Sequence, residues 1–209
     1  MPRRIIDVTR PLRADMPVWP GDAPCAVGWT TRLDRRDVAN TAELRMSAHA
    51  GTHADGPYHV LEDGVRIGAA PLDAYLGPAL VLDARGRDEI DPHWLEAALD
   101  GRRAERVLLH TGAWTDPDVF PVQVPAVSPL AATLLVERGV RLVGTDAPSV
   151  DPLDSDDLPA HHILLRAGVA ILENLLLDGV APGEYELVAL PLRLEEADSS
   201  PVRAVLLAP

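Results

Sequence analysis

Residues 47–59 read SAHAGTHADGPYH, and this stretch decides how the rest of the chain is interpreted. It holds three of the seven histidines of the chain together with one aspartate. A helix would place His49 and His53 one turn apart, at i and i+4, as in a zinc-protease helix. Two glycines and Pro57 argue against a helix, because each of them weakens or breaks a helix interior.

An extended backbone gives the same residues a different meaning, because side chains alternate between the two faces of a strand. One face then carries His49, Gly51, His53 and Asp55, which is two imidazoles and a carboxylate around a position without a side chain. A metal ion could lie there close to the backbone. We therefore predict a metal site, although ordinary polar residues of an exposed strand are the alternative. His59, beyond the Gly-Pro turn, is a further ligand or an acid–base group.

The predicted site lacks at least one ligand, and two residues far along the chain are candidates. Residues 169–172 (VAIL) predict a buried strand, and Glu173 stands at its end. Carboxylates are rarely buried unless they are paired or bound to a cation. His161 precedes this strand by a short apolar segment. We therefore expect His161 and Glu173 to complete the site, and we interpret the aspartate-rich segment 146–157 as a solvated loop.

Five ligands of this kind indicate two metal ions rather than one. A catalytic mononuclear zinc site uses three protein ligands, and a closed structural site more often includes cysteine. Imidazole and carboxylate ligands without thiolate make Zn²⁺ the first candidate and Mn²⁺ the second. Two such ions generate hydroxide at neutral pH and polarise a carbonyl, which predicts metal-assisted amide or ester hydrolysis. His59, if it is not a ligand, would shuttle a proton.

Composition limits the remaining classes of function. The chain has 209 residues, which fits one domain spanning 1–209. Its formal charge of −13 disfavours a nucleic-acid backbone or an anionic membrane surface as partner. No apolar run reaches the roughly 18 residues of a membrane span. A single cysteine, Cys25, excludes an intrachain disulfide, and the first residues lack the apolar run of a signal peptide, so we expect a cytoplasmic protein.

The order of elements predicts an α/β domain in which strands of a mixed, barrel-like sheet are layered with helices. Buried strands alternate with helices through the middle third of the chain. The expected strands include 26–31, 41–48, 78–83, 106–111 and 140–145, and the expected helices are 92–100 and 129–138. A short apolar turn is expected after His161, and residues 198–201 are expected to form a turn between the last two strands.

Trp19 lies in the middle of a proline-rich loop, residues 10–24, and two interpretations of it remain open. A tryptophan in a loop usually packs onto the body of its own domain. A flat aromatic ring on a loop stiffened by prolines also suits stacking against a planar ligand.

The stretch also resembles a known family. Residues 49–59 match the HxGTHxDxPxH signature of the cyclase-like metal-dependent hydrolases, a long and specific motif. Further matches extend the resemblance over essentially the whole chain; they are residues 7–12 (DVTRPL), 16–22 (MPVWPGD), 144–152 (GTDAPSVDP), 161–165 (HHILL), 171–173 (ILE) and 198–205 (Asp-Ser-Ser-Pro-Val-Arg-Ala-Val). Within the family, the chain looks closest to the bacterial enzymes of tryptophan breakdown that act on N-formyl-L-kynurenine.

The resemblance implies a role for each candidate residue. It places His49 and His53 on one zinc ion, Asp55 and Glu173 as bridges between two zinc ions, and His161 on the second ion. It further implies that His59 is the acid–base residue and that Trp19 contacts the substrate.

The implied reaction is hydrolysis of N-formyl-L-kynurenine to L-kynurenine and formate by hydroxide activated by two zinc ions, in an α/β homodimer. Two alternatives remain: a related cyclic-amide hydrolase acting on a compound such as isatin, and a metal-binding protein without turnover.

Overall fold

A nine-stranded mixed β-sheet forms the centre of the computed structural model, which describes residues 4–208. From one edge to the other, its strands are β1 (Ile5–Asp7), β13 (Val205–Leu207), β11 (Gly183–Val188), β5 (Leu76–Asp83), β7 (Arg106–His110), β9 (Leu142–Thr145), β10 (Ala170–Glu173), β4 (His53–Asp55) and β12 (Ser199–Pro201). The four strands β5, β7, β9 and β10 run parallel, and the other pairs are antiparallel. The sheet curls like half a barrel, so the predicted α/β fold is confirmed.

Three helices cover one face of the sheet: α1 (Pro92–Leu99), α2 (Pro129–Glu137) and α3 (Pro159–Arg166). The first two begin where the sequence predicts them. The Asp91 carboxylate accepts hydrogen bonds from two backbone N–H groups of the first turn of α1, and Ser128 Oγ accepts one at the start of α2. Buried leucines of the helices, such as Leu95 and Leu135, pack against sheet residues such as Val143. A second apolar cluster covers the other face.

Two small sheets lie outside the main one. The hairpin of β2 (Ala26–Thr31) and β3 (Thr41–Arg45) matches the strands expected there and is exposed along nearly its whole length. The second small sheet pairs β6 (Glu89–Ile90) with β8 (Ala126–Val127). Among residues 4–208, no helix combines the length and the apolar character needed to cross a membrane.

The predicted strand through the histidine stretch is shorter than expected. Only His53–Asp55 is extended, and residues 48–52 form turns. Gly51 adopts φ +68, a left-handed conformation that breaks the strand, and a Cβ atom there would lie 2.6 Å from Leu12 Cδ2. The four-residue face expected from alternation is therefore wrong at positions 49 and 51. Glycine at position 51 serves the turn and the close approach of Leu12, rather than leaving room for an ion.

Two further segments differ from their sequence-based interpretation. His161 lies in the first turn of helix α3, where a short apolar turn was expected. Residues 199–201, expected as a turn, form strand β12 and pair with β4, so that Ser199 lies opposite Asp55. Both differences place chain segments directly beside the histidine stretch.

Candidate functional site

Neighbouring strands bring three of the predicted ligands together at one end of the sheet. In the antiparallel pair of β4 and β10, Glu173 lies directly opposite His53, so their side chains share a face. Asp55 is two residues from His53 on β4 and points to the same face. The Nε2 atom of His53 lies 3.4 Å from Asp55 Oδ1 and 3.5 Å from Glu173 Oε2. The predicted pairing of a strand motif with a distant glutamate thus occurs in the fold.

His161 approaches the same carboxylates from helix α3. Its Nε2 atom lies 3.3 Å from Glu173 Oε1 and 3.7 Å from Asp55 Oδ2. Its Nδ1 atom donates to Asp151 Oδ2 at 2.7 Å, and Asp151 also accepts from the backbone N–H groups of His161 and Ala160. Asp151 is fully buried, so its interpretation as part of a solvated loop is wrong. It holds both the start of the helix and the orientation of the imidazole.

His49 and His59 lie on the more open side of the cluster, and an aspartate absent from the predicted site joins them. The Nδ1 atom of His49 lies 3.1 Å from Asp55 Oδ1, while its Nε2 atom lies 2.9 Å from Asp198 Oδ2. The Nδ1 atom of His59 lies 3.1 Å from the same Asp198 oxygen. The two imidazole rings are 4.4 Å apart between centroids.

The two most buried histidines of the cluster, His53 and His161, share one arrangement of their ring nitrogens. His53 donates from Nδ1 to the Gly51 carbonyl at 3.0 Å, as His161 does to Asp151, and each directs Nε2 at the carboxylate pair. In metal sites, a ligating imidazole donates its other N–H to a carboxylate or carbonyl, which fixes the tautomer and the ring orientation. The cluster therefore has the anchored imidazoles that a metal centre requires.

Unpartnered polar atoms show that the cluster suits a cation. Both carboxylate oxygens of Asp55 and the Nε2 atom of His53 are buried without a hydrogen-bond partner. Leaving a buried carboxylate without a partner is costly, and a bound cation removes that cost. Two compact groups of three residues each bring one ligand atom per residue within 4.8 Å of the others in the group; they are His53–Asp55–Glu173 and His49–Asp55–His59. Asp55 is common to both groups, which fits two ions that share a bridging carboxylate.

The grouping differs in one respect from the assignment implied by the family resemblance. His59 stands with His49 and Asp55 in a compact group, whereas His161 belongs to neither compact group found among residues 4–208. All five predicted ligands nevertheless surround the same space. Which ion each of them would bind stays a prediction.

The charges of the cluster shift the pKa of its members in opposite directions. Burial by itself would lower the pKa of His49, but the carboxylates of Asp198 and Asp55 outweigh it and raise the pKa to about 10. Burial is likewise outweighed at His53, where Asp55 and Glu173 raise the pKa to about 9. Burial would raise the pKa of Asp55, but the neighbouring imidazoles hold it well below its usual range. Without metal, protons on the imidazoles balance the carboxylates.

We expect metal binding to release protons from this cluster at pH 7. An imidazole whose pKa is raised to about 9 or 10 is protonated at pH 7 and must lose that proton to bind a metal ion. Affinity should therefore fall further as the pH drops below 7. Titrating the stripped protein with Zn²⁺ in buffers of different ionisation enthalpy measures the released protons. An apparent enthalpy that does not depend on the buffer would contradict this expectation.

A cavity of about 310 Å³ opens onto the cluster. Its lining includes Glu173 and four histidines of the cluster, which are His49, His53, His59 and His161. It also includes an aromatic wall formed by Trp19, Trp114 and Phe120. Their rings pack edge to face around Phe120, at 5.7 Å from Trp19 and 5.3 Å from Trp114 between centroids. Trp19 thus lines the ligand cavity.

Sequence reasoning missed two members of this aromatic wall. Trp114 and Phe120 fall in the segment 114–127, which its prolines and aspartates mark as a surface connection. The available signal is that two large aromatic residues lie in one proline-rich loop, since large aromatic side chains in a loop usually pack against something. Phe120 is the only phenylalanine of the chain, so its position in the cavity wall is all the more informative.

Comparisons with known proteins identify the family to which the chain is similar. A family model described as "Putative cyclase" matches residues 6–152. The kynurenine formamidase of Salinibacter ruber is 46% identical over 205 residues, covering 97% of this chain and 96% of the relative. That of Geobacillus thermodenitrificans is 45% identical over 203 residues, covering 96% of each. Isatin hydrolase A from Labrenzia aggregata, solved with benzyl benzoate, has a TM-score of 0.86 at 26% identity, covering 98% of this chain and 93% of that chain.

Proposed function

This chain belongs to the cyclase family, and from that premise we propose that it hydrolyses N-formyl-L-kynurenine to L-kynurenine and formate in tryptophan degradation. Relatives that are 45% and 46% identical over nearly the whole chain are kynurenine formamidases. The observation that carries the proposal is a single cavity lined both by predicted metal ligands and by an aromatic wall. A formamide attached to an aromatic ring needs both features within one site. We take residues 1–209 as one domain with this activity.

The proposal includes two metal ions per subunit, with Zn²⁺ as the first candidate and Mn²⁺ as the second. The buried oxygens of Asp55 and Glu173 would bridge them, and His49, His53 and His161 would supply nitrogen ligands, a set without thiolate that suits these ions. When bound, such ions supply hydroxide at neutral pH and polarise a carbonyl oxygen.

His59 would handle the proton of the reaction. Cleavage of the formamide bond leaves an arylamine nitrogen that must gain a proton as it departs. His59 lines the cavity and engages Asp198 through Nδ1, so Nε2 is the atom that would hold and deliver this proton.

The aromatic wall would hold the aminobenzoyl ring. We expect Trp19→Ala to raise KM for N-formyl-L-kynurenine about 5- to 30-fold, because a lost aromatic contact costs about 1–2 kcal/mol. The kcat value should change little, since Trp19 is not among the groups that surround the reacting bond. Steady-state kinetics measures both constants. Trp19→Phe keeps a flat ring and should retain most of the affinity, and a drop in kcat alone in Trp19→Ala would contradict the role.

Mixing the purified protein with N-formyl-L-kynurenine and following kynurenine absorbance tests the main proposal. We expect turnover that a chelator abolishes and added Zn²⁺ or Mn²⁺ restores. The similarity to isatin hydrolase A makes isatin the necessary comparison substrate. A kcat/KM that is higher for isatin would replace the proposal with cyclic-amide hydrolysis. No rate above the metal-stripped control on either substrate would favour a binding protein without turnover.

We further propose a homodimer acting in the cytoplasm. Val27, Trp29 and Leu44 lie on one face of the β2–β3 hairpin and are 45%, 48% and 53% exposed. A two-stranded hairpin is marginally stable alone in water, so a second subunit would cover this face. Light scattering should give twice the mass of the chain, and Trp29→Glu should give monomers. A monomeric wild-type protein would contradict the proposed homodimer.

The cysteine content supports the proposed location in the cytoplasm. The chain has a single cysteine, Cys25, which is buried and fits a reducing compartment.

A further inference from the structure

Asp198 hydrogen-bonds both His49 and the predicted acid–base residue His59. Its Oδ2 atom lies 2.9 Å from His49 Nε2 and 3.1 Å from His59 Nδ1. The two histidines are ten residues apart on the chain, and Asp198 comes from the far end of it. The fold therefore brings Asp198 to the two histidines, and its carboxylate connects a predicted metal ligand with a predicted proton carrier.

The backbone fixes the position of Asp198. It directly precedes strand β12, which pairs with β4. The N–H group of Gly56 donates to the Asp198 carbonyl at 2.8 Å. A Cβ atom on Gly56 would lie 2.8 Å from that same carbonyl oxygen, so only glycine allows this approach. The carboxylate is thus set against the histidine stretch by main-chain contacts on both sides, although its side chain is 37% exposed.

The two hydrogen bonds determine which nitrogen of each ring carries hydrogen. An ionised carboxylate only accepts hydrogen bonds, so each imidazole must donate to Asp198 Oδ2. His59 must then carry its hydrogen on Nδ1, which leaves Nε2 to exchange a proton with a substrate. His49 donates to Asp198 through Nε2, and its Nδ1 atom is turned toward Asp55.

We propose that Asp198 is a positioning residue that holds His59 in the Nδ1–H tautomer and orients it against the metal cluster. The inference rests on the proposed function only for its effect on turnover, because the tautomer itself does not depend on the reaction. Asp198 belongs to neither compact ligand group among the described residues, so an outer position rather than metal binding fits its geometry. Residues that orient ligands and acid–base groups in this way typically contribute about 10- to 100-fold to activity or metal affinity.

Long-range proton–nitrogen NMR of the Zn²⁺-loaded full chain tests the tautomer directly, with the His59 signal identified from its loss in His59→Ala. We expect the Nδ1–H form in the wild-type protein and a shift toward Nε2–H in Asp198→Ala. Asp198→Asn keeps the shape of the side chain and serves as a second variant if the alanine variant does not fold. Finding the Nε2–H form in the wild-type protein would overturn the proposal, whatever the substrate.

Kinetics with saturating Zn²⁺ tests the consequence for turnover. We expect Asp198→Ala to lower kcat about 10- to 100-fold with KM changed less than about threefold. In a His59→Ala background the same substitution should change kcat less than about threefold, because the group it acts through is absent. Glu196→Ala, two residues away on the same segment, removes a carboxylate outside both ligand groups and should leave kcat unchanged.

These measurements distinguish a failure of the positioning role of Asp198 from a failure of the proposed formamidase function. An equal loss from Asp198→Ala in both backgrounds would show that it does not act through His59 and would overturn the positioning role. Loss of bound metal that saturating Zn²⁺ cannot restore would make Asp198 a ligand and overturn it as well. A wild-type protein with the expected tautomer and no formamidase turnover would refute the proposed function while supporting the inference about Asp198.

Discussion

Asp55→Ala should remove bound metal and lower kcat/KM at least about 1,000-fold. Asp55 is common to both groups of ligand atoms and is buried at 1% exposure, so neither group is complete without it. Metal ions that stabilise charge in a transition state contribute several kcal/mol, and a loss of about 4 kcal/mol corresponds to about 1,000-fold in rate. Elemental analysis of the purified variant and its kinetics on N-formyl-L-kynurenine measure the two effects.

A matched control separates metal loss from loss of fold. Asp146 is a second buried aspartate, but its oxygens accept hydrogen bonds from Thr111 and Gly112 rather than facing the cluster. Asp146→Asn should therefore reduce stability and keep the metal content. The bridging role further predicts that Glu173→Ala loses at least one of two ions. Full metal content in Glu173→Ala, or wild-type turnover in Asp55→Ala, would contradict the assignment.

The ligands could be predicted because strand alternation and the burial of a carboxylate can both be recognised in a sequence. Alternation along a strand places His53 and Asp55 on one face, and this holds in β4. Glu173 ends a buried apolar strand, where an unpaired carboxylate is costly, so its position alone indicates a partner. The prediction did not require knowledge of which strands pair. The pairing of β4 with β10 then places Glu173 directly opposite His53.

The parts that sequence reasoning missed depend on contacts between distant segments. Asp151 and Asp198 look like ordinary loop aspartates, because nothing in their neighbourhoods shows that the fold will bury one and set the other beside two histidines. Gly51 looked like a gap in a strand, since a left-handed φ cannot be distinguished from an extended one by residue type. Helix α3 was missed because its N-terminus lacks a side-chain cap, whereas α1, which is equally short, begins at the capping residue Asp91.

His59→Ala should lower kcat about 100- to 10,000-fold while the protein keeps its full metal content. General acid–base catalysis by a positioned side chain contributes this range, and the departing arylamine nitrogen needs a proton. The KM value should change little, because the lost interaction develops during the reaction rather than on binding. Metal analysis and steady-state kinetics of the variant test both parts. His93→Ala, which removes a histidine of α1 that does not line the cavity, is the control and should behave as wild type.

The leaving group gives a sharper test of the same role. A general acid matters most when the departing nitrogen is strongly basic, so aryl formamides with electron-withdrawing ring substituents should lose less rate in His59→Ala than N-formyl-L-kynurenine does. The ratio of wild-type to variant kcat should therefore fall as the leaving amine becomes less basic. A constant ratio across the series would contradict proton donation by His59. Loss of one metal ion from His59→Ala would instead make it a ligand, because its ring nitrogen stands in a compact group with His49 and Asp55.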